Sequence, residues 1–158
     1  NRTCSQGTSD VEAEAERAAA RADWGRCMKV LDATFLIDYL DGIEATKEFY
    51  EANGAENERW VMPVPAYAEV LVGEGNLPNG DVTGARADLS WGQKYDVGEK
   101  TAVTAGEIAT EVPPSGPYLD GNDALIAAVG RELDAPVVSR DRDLTHEETK
   151  NVIDVEEY

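Results

Sequence analysis

The amino-acid sequence predicts an α/β fold in which a mainly parallel sheet lies between two layers of helices, a three-layer α/β/α arrangement. Short strand-like runs alternate with helical segments from residue 28 onward, a pattern typical of parallel sheets with crossover helices. The chain has 158 residues and 42% of them are hydrophobic, enough for one domain with a substantial core. No apolar run approaches the ~20 residues that cross a bilayer, so we expect no membrane-spanning segment.

The first half of the predicted domain contains two strands and three helices. In chain order they are a strand over 28–31, helices over 35–40 and 45–53, a strand over 60–64 and a helix over 66–72. Thr34 is placed to cap the first helix, and Gly54 ends the second. Pro65 fits the first turn of the third helix, where its missing N–H leaves no hydrogen bond unmade.

The second half continues the alternation after a segment, 73–80, that is rich in turn-forming residues. We predict helices over 84–94 and 98–111, a Pro/Gly loop over 113–117, a helix over 123–133 capped by Asn122, and strands over 135–139 and 151–155.

Residues 1–27 differ from this pattern. The segment 11–23 is rich in Ala, Glu and Arg and lacks a wide apolar face, so it offers little surface to bury. We expect 1–27 to be a flexible extension outside the native core, and the functional domain to span 28–158. Both cysteines, Cys4 and Cys27, precede that domain, which excludes a disulfide scaffold or a cysteine-rich zinc site within it.

The charge is strongly acidic: 32 Asp and Glu against 14 Lys and Arg, a formal net charge of −18. The acids are spread among apolar segments, unlike a disordered acidic tail. We interpret this as a surface suited to very high salt, as in a halophilic cytosol, and expect a cytoplasmic protein. Salt near 1 M shortens the Debye length to ~3 Å, so the charge argues against a large basic groove without excluding RNA as a substrate.

Several acids stand out by their place along the chain. Asp32 follows the first strand, Glu69 lies on the helix after the second, Asp123 opens a helix, and Asp141 and Asp143 follow the strand over 135–139. The carboxyl ends of parallel strands meet at one edge of the sheet, where ligands bind. Each acid taken alone is more often a solvated side chain. Together, carboxylates without His or Cys point to Mg²⁺ or Mn²⁺.

Four stretches in order resemble the motifs of the PIN domain family, and in particular its VapC-type toxins. They are MKVLDATFLIDYL over 28–40, PAYAEVL over 65–71, NDALIAA over 122–128 and VVSRDRDL over 137–144. The resemblance implies a PIN-like fold and a metal-dependent endoribonuclease that hydrolyses RNA phosphodiester bonds. It further implies the toxin of a type II toxin–antitoxin pair, a small antitoxin that inserts into the acidic groove, and a homodimer.

The resemblance also implies roles for individual residues. The divalent ions would be held by Asp32, Glu69, Asp123 and Asp141 as catalytic acids, with Asp143 as a further ligand or a supporting acid. Ser139 would orient Asp141. Thr34 would steady a ligand or a substrate phosphate, unless it serves only as the helix cap. Leu144 stands where the family often has Phe, which is a mild departure.

The roles of four neighbouring residues stay open. Asp38 is either part of the site or a solvated helix position, and Asp120 precedes the third motif closely enough to reach the same edge. Arg140 and Arg142 either contact phosphates or balance the clustered acids.

Other functions remain open at this stage. A PIN domain of this kind could process RNA without a toxin role, or it could be a non-catalytic acidic binding module. The intact set of four acids argues against the binding module. A phosphatase with Asp32 as nucleophile would require a second acid two residues later, where Thr34 stands.

Overall fold

A computed structural model of the chain describes residues 28–158, so the predicted extension over 1–27 lies outside the described residues. The strands are β1 (Met28–Leu31), β2 (Arg59–Pro63), β3 (Gln93–Tyr95), β4 (Val137–Val138) and β5 (Val155–Glu156). The helices are α1 (Ala33–Leu40), α2 (Glu44–Ala52), α3 (Val64–Gly75), α4 (Val82–Asp88), α5 (Glu99–Glu111), α6 (Gly121–Leu133) and α7 (Glu147–Lys150). None of the helices within 28–158 is long and apolar enough to cross a membrane.

The five strands form one sheet in the order β3-β2-β1-β4-β5, and every pairing is parallel. The predicted three-layer α/β/α fold is therefore confirmed. The chain builds outward from β1 through β2 to β3, and then returns to the other side of β1 with β4 and β5. The order reverses between β1 and β4, which makes their carboxyl ends the topological switch point of the sheet, where ligands of such folds bind.

The core lies on both faces of the sheet and explains why these segments fold as they do. Val30 and Leu31 on β1 and Val137 and Val138 on β4 are fully buried, as expected of central parallel strands covered by helices on both sides. Phe35 on α1 is also fully buried and packs edge-to-face against Phe49, with ring centroids 6.0 Å apart.

Several elements differ from the sequence prediction, among them the last strand, which spans Val155–Glu156 and not 151–155. The helix predicted over 84–94 ends at Asp88, and Gln93–Tyr95 instead pairs with β2 as an edge strand. Gly92 enables this approach, because a Cβ at that position would collide with the side chain of Met62 on β2. In addition, α3 continues to Gly75, three residues beyond the predicted end, and α7 was not predicted.

Gly54, with a φ of 98°, follows the end of α2 as predicted, but the two predicted N-caps, Thr34 and Asn122, are wrong. Asp32 is the N-cap residue of α1, and Thr34 lies within the helix. Asp120, not Asn122, caps α6, because its Oδ1 accepts a hydrogen bond from the backbone N–H of Asp123 at 2.8 Å. Both differences free the side chains of Thr34 and Asn122 for other contacts.

A partly buried ion pair joins β1 to β5. Lys29 is 7% exposed, and its Nζ donates to both carboxylate oxygens of Glu156 at 3.0 and 2.9 Å. Glu58 lies beside this pair, and its buried Oε1 makes no hydrogen bond within the described part of the chain. Burial raises the pKa of Glu58 to about 7, with Lys29 opposing the shift and Glu156 adding to it.

We expect Glu58→Gln to raise the melting temperature at pH 8 and to change it much less at pH 5. The pKa of Glu58 in the folded protein, about 7, lies above its ordinary value of 4.5, so the wild type loses stability as pH rises through that interval. The variant carries no ionisable group at position 58, so its stability does not fall in this way. The difference in the free energy of unfolding, after solvent screening, is on the order of 1 kcal/mol. Thermal melts of both proteins at the two pH values measure the difference.

The exposed neighbour Glu56 supplies the control, since Glu56→Gln removes a charge from the same segment without a buried carboxyl. An equal gain at pH 5 and pH 8 for Glu58→Gln would contradict this account of its environment.

Candidate active site

Asp32 stands at the switch point, directly after β1. Its backbone N–H donates to the carbonyl of Val138 at 3.1 Å, so the β1–β4 ladder extends to this residue. The side chain is buried, since the residue is only 2% exposed. A buried carboxylate must be hydrogen-bonded or neutralised, and the local donors are therefore decisive for its position.

Two hydroxyl groups supply those donors. Ser139 Oγ donates to Asp32 Oδ2 at 2.6 Å, and Thr34 Oγ1 donates to the same oxygen at 3.0 Å. Each hydroxyl also accepts a hydrogen bond from the segment after β4. Ser139 Oγ accepts from the backbone N–H of Asp141 at 2.9 Å, and Thr34 Oγ1 accepts from that of Arg140 at 3.3 Å. The hydroxyls thus join Asp32 to the segment that carries Asp141.

Burial raises the pKa of Asp32, the hydrogen bonds from Ser139 and Thr34 oppose the shift, and the charge of Asp141 adds to it. Ser139 lies where the resemblance implies a residue that orients Asp141. Its contact with Asp141 is made through the backbone, whereas its contact with Asp32 is made through the carboxylate.

Three further acids gather beside Asp32. Carboxylate oxygens of Asp123, Asp141 and Asp143 all lie within 4.8 Å of one another. Asp141 begins a tight turn, in which its Oδ1 accepts the backbone N–H groups of Asp143 at 2.9 Å and Leu144 at 3.2 Å. That turn fixes the carboxylate of Asp141 and returns the chain so that Asp143 faces the same space.

Asp123 shows how strongly these charges interact. It lies in the first turn of α6, and its pKa is raised to about 7. Burial is the largest cause, followed by the charges of Asp141, Asp120, Asp32 and Asp143, in that order. Neighbouring carboxylates that raise the pKa of Asp123 in this way favour the binding of a cation between them.

Glu69 faces the same group from α3. Asn122 Nδ2 donates to its Oε2 at 3.4 Å, which ties α3 to the start of α6. Burial raises its pKa, the contact with Asn122 opposes this, and the charges of Asp32, Asp120 and Asp141 add to it. Glu69 is nevertheless exposed as a residue, so it stands at the rim of the group and is not enclosed by its apolar helix neighbours.

The structure brings all the predicted site residues to one edge of the sheet. Asp120 lies close to them, as its place before the third motif indicates, and its charge acts on both Asp123 and Glu69. The structure excludes one of the two interpretations of Asp38. Asp38 is not a solvated helix position, because it is buried and bound by Arg140 and Tyr158. Tyr158 itself was missed, because no local pattern in the sequence links it to α1.

The donor set is chemically uniform. It consists of carboxylate oxygens supported by hydroxyl and backbone N–H donors, and the group of possible metal ligands found within residues 28–158 contains neither His nor Cys. Oxygen ligands of this kind fit Mg²⁺ or Mn²⁺, hard cations that carboxylates bind.

Comparison with known proteins agrees with this arrangement. The family described as PIN domain matches residues 29–148. No curated protein sequence matches the chain. Among solved structures, the chain is similar to VapBC2 from Rickettsia felis, which is bound to a DNA fragment from its promoter. Identity is 19%, over 83% of this chain and 98% of that chain, with a TM-score of 0.67.

Two other structures are similar at comparable levels. FitAcB from Neisseria gonorrhoeae is 19% identical over 81% of this chain and 96% of that chain, with a TM-score of 0.66. VapBC-5 from Mycobacterium tuberculosis, a member of the VapBC family of toxin–antitoxin systems, is 25% identical over 83% and 97%, with a TM-score of 0.59. Because the family match over residues 29–148 covers more than half of the chain, the chain belongs to the PIN domain family.

Proposed function

We propose that residues 28–158 form a divalent-metal-dependent endoribonuclease domain, and that the protein is the toxin of a type II toxin–antitoxin pair. The observation that carries this proposal is the convergence of the carboxylates of Asp123, Asp141 and Asp143 at the switch point of a PIN fold. A solvated acidic surface would place such charges apart, since like charges repel.

The residues that would hold the metal are the three grouped acids together with Asp32 and Glu69. A divalent cation bound there supplies the positive charge that activates water and stabilises the charge added to a phosphodiester during hydrolysis. Mg²⁺ and Mn²⁺ both suit an all-oxygen site.

The chain's own residues prepare this site in two ways. Ser139 and Thr34 hold one oxygen of Asp32 by neutral donors, so the negative charge of the carboxylate is not cancelled by a cationic side chain. The turn at Asp141 fixes a second carboxylate by backbone N–H groups. Both acids are thereby oriented before any ion or substrate arrives, which lowers the cost of organising them.

A partner protein follows from the same proposal. Similar structures are described as a toxin–antitoxin complex from Klebsiella pneumoniae and as DNA-bound VapBC from Salmonella typhimurium. We therefore propose a small antitoxin as the inhibitory partner, a homodimer as the assembled state, RNA as the substrate, and activity in a cytoplasm of high salt.

We expect Asp123→Asn to reduce RNA cleavage by ~100-fold or more, because it removes a charged oxygen from the metal-binding group. The assay is cleavage of a mixed RNA substrate with Mn²⁺ in molar KCl. Asp154→Asn is the matched control. Asp154 is an exposed acid just before β5, so it lies at the amino ends of the parallel strands, whereas the site lies at their carboxyl ends. Full activity of Asp123→Asn would refute the site, and equal loss in Asp154→Asn would indicate a general charge effect.

We also expect Asp123→Asn to melt higher than the wild type in EDTA, on the order of 3 °C, because one of several repelling charges is gone. Added Mn²⁺ should raise the melting temperature of the wild type more than that of the variant, since only an ion bound to the folded state stabilises it. Melting curves with EDTA and with Mn²⁺ test both points, and an equal Mn²⁺ response in the two proteins would contradict the assignment.

A further inference from the structure

A second buried carboxylate lies outside the acidic group. Asp38, on α1, is 6% exposed, and two hydrogen bonds and a further ion-pair contact satisfy it. Arg140 Nη2 donates to Oδ1 at 2.9 Å, and Arg140 Nε pairs with Oδ2 at 2.8 Å. The hydroxyl of Tyr158 donates to Oδ2 at 2.6 Å. This bidentate pairing fixes both the distance and the orientation of the guanidinium relative to the carboxylate of Asp38.

Arg140 is the residue between Ser139 and Asp141, so its position affects the site directly. Its backbone N–H is held by Thr34, and its guanidinium is held by Asp38. Thr34 and Asp38 are four residues apart on α1 and therefore lie on the same face of the helix. Two separate points of one residue are thus attached to one rigid helix, which fixes the peptide that precedes Asp141.

Tyr158 completes this arrangement from the other side. Its ring packs edge-on against Phe35, with ring centroids 4.9 Å apart, and against Phe49 at 6.4 Å. The hydroxyl is therefore held in place by the core of α1 and α2. It binds the same oxygen of Asp38 as Arg140 Nε, so the ion pair is supported on a packed surface.

We infer that Asp38 is a positioning residue: through Arg140, and with Tyr158 as support, it holds the segment 139–141 so that the carboxylate of Asp141 meets those of Asp123 and Asp143. The inference rests on the proposed function, because positioning is measured here by metal binding. Asp38 is not expected to contact metal or RNA. Arg140 balances the charge of Asp38. Because its guanidinium is bound to Asp38, it does not pair with the acids at the switch point.

The test compares Mn²⁺ affinity, RNA cleavage and melting temperature for Asp38→Asn, Arg140→Gln and Tyr158→Phe. We expect Asp38→Asn and Arg140→Gln each to weaken Mn²⁺ binding by ~10-fold or more, as loss of residues that orient metal ligands does. The double variant should lose little beyond either single variant, because the two residues act as one unit. Tyr158→Phe removes only a hydroxyl and should give a smaller loss of the same kind, which keeps the test valid even if Asp38→Asn folds poorly.

Glu156→Gln is the matched control, because it breaks the ion pair with Lys29 and leaves unchanged the backbone carbonyl of Glu156, which accepts the N–H of Ser139. We expect it to lower the melting temperature and leave Mn²⁺ affinity unchanged. If the three test variants also melt lower but bind Mn²⁺ and cleave RNA as the wild type does, Asp38 is merely structural and the inference is overturned while the proposed function stands. A wild type that neither binds Mn²⁺ nor cleaves RNA would overturn both.

Discussion

The parallel pairing of β1 with β4 is the interaction on which the rest of the candidate site depends. Val30 lies opposite Val137 and Leu31 opposite Val138, so the strands end side by side. Asp32 and Ser139 are the next residues on each, and Ser139 reaches the carboxylate of Asp32. A slip of one residue would turn these side chains to opposite faces of the sheet, because side chains alternate along a strand. The buried valines therefore set the register that brings Asp32 to the fourth motif.

The site also depends on which donors satisfy its acids. Asp32 and Asp141 are held by hydroxyls and backbone N–H groups, which orient a carboxylate and leave its negative charge in place. Lys29 and Arg140 instead pair with Glu156 and Asp38 away from that group. The pKa of Asp123 is raised because burial and the charges of the neighbouring acids act on it together. Negative charge concentrated in this way, with no Lys or Arg of residues 28–158 paired with the three grouped acids, suits a bound divalent ion.

Local patterns in the sequence were sufficient to predict the parallel fold and the acids that follow its strands. Asp32 follows an apolar run, and Asp123 opens a strongly helical one, so the fold class alone places both at one edge. The edge strand β3 was not predicted, because Gln93 and Lys94 carry no alternating apolar signal and the strand is defined by its pairing with β2. The role of Asp38 escaped prediction for a similar reason, since its partners Arg140 and Tyr158 are 102 and 120 residues away along the chain.

The acidic residues of this chain fall into two groups, surface acids and site acids, and salt screens the two groups to different extents. Dispersed surface charges contribute to the net charge of −18 and interact over distances that molar salt screens. The acids at the switch point lie within a few ångströms of one another and are partly buried, where screening is much weaker. High ionic strength would therefore weaken the repulsion between surface acids, and also the repulsion between this surface and an approaching polyanion. The charge of the grouped acids, which suits a divalent cation, would persist. A strongly acidic surface is therefore compatible with the proposed nuclease activity, because the dispersed surface acids and the grouped acids of the site respond differently to salt.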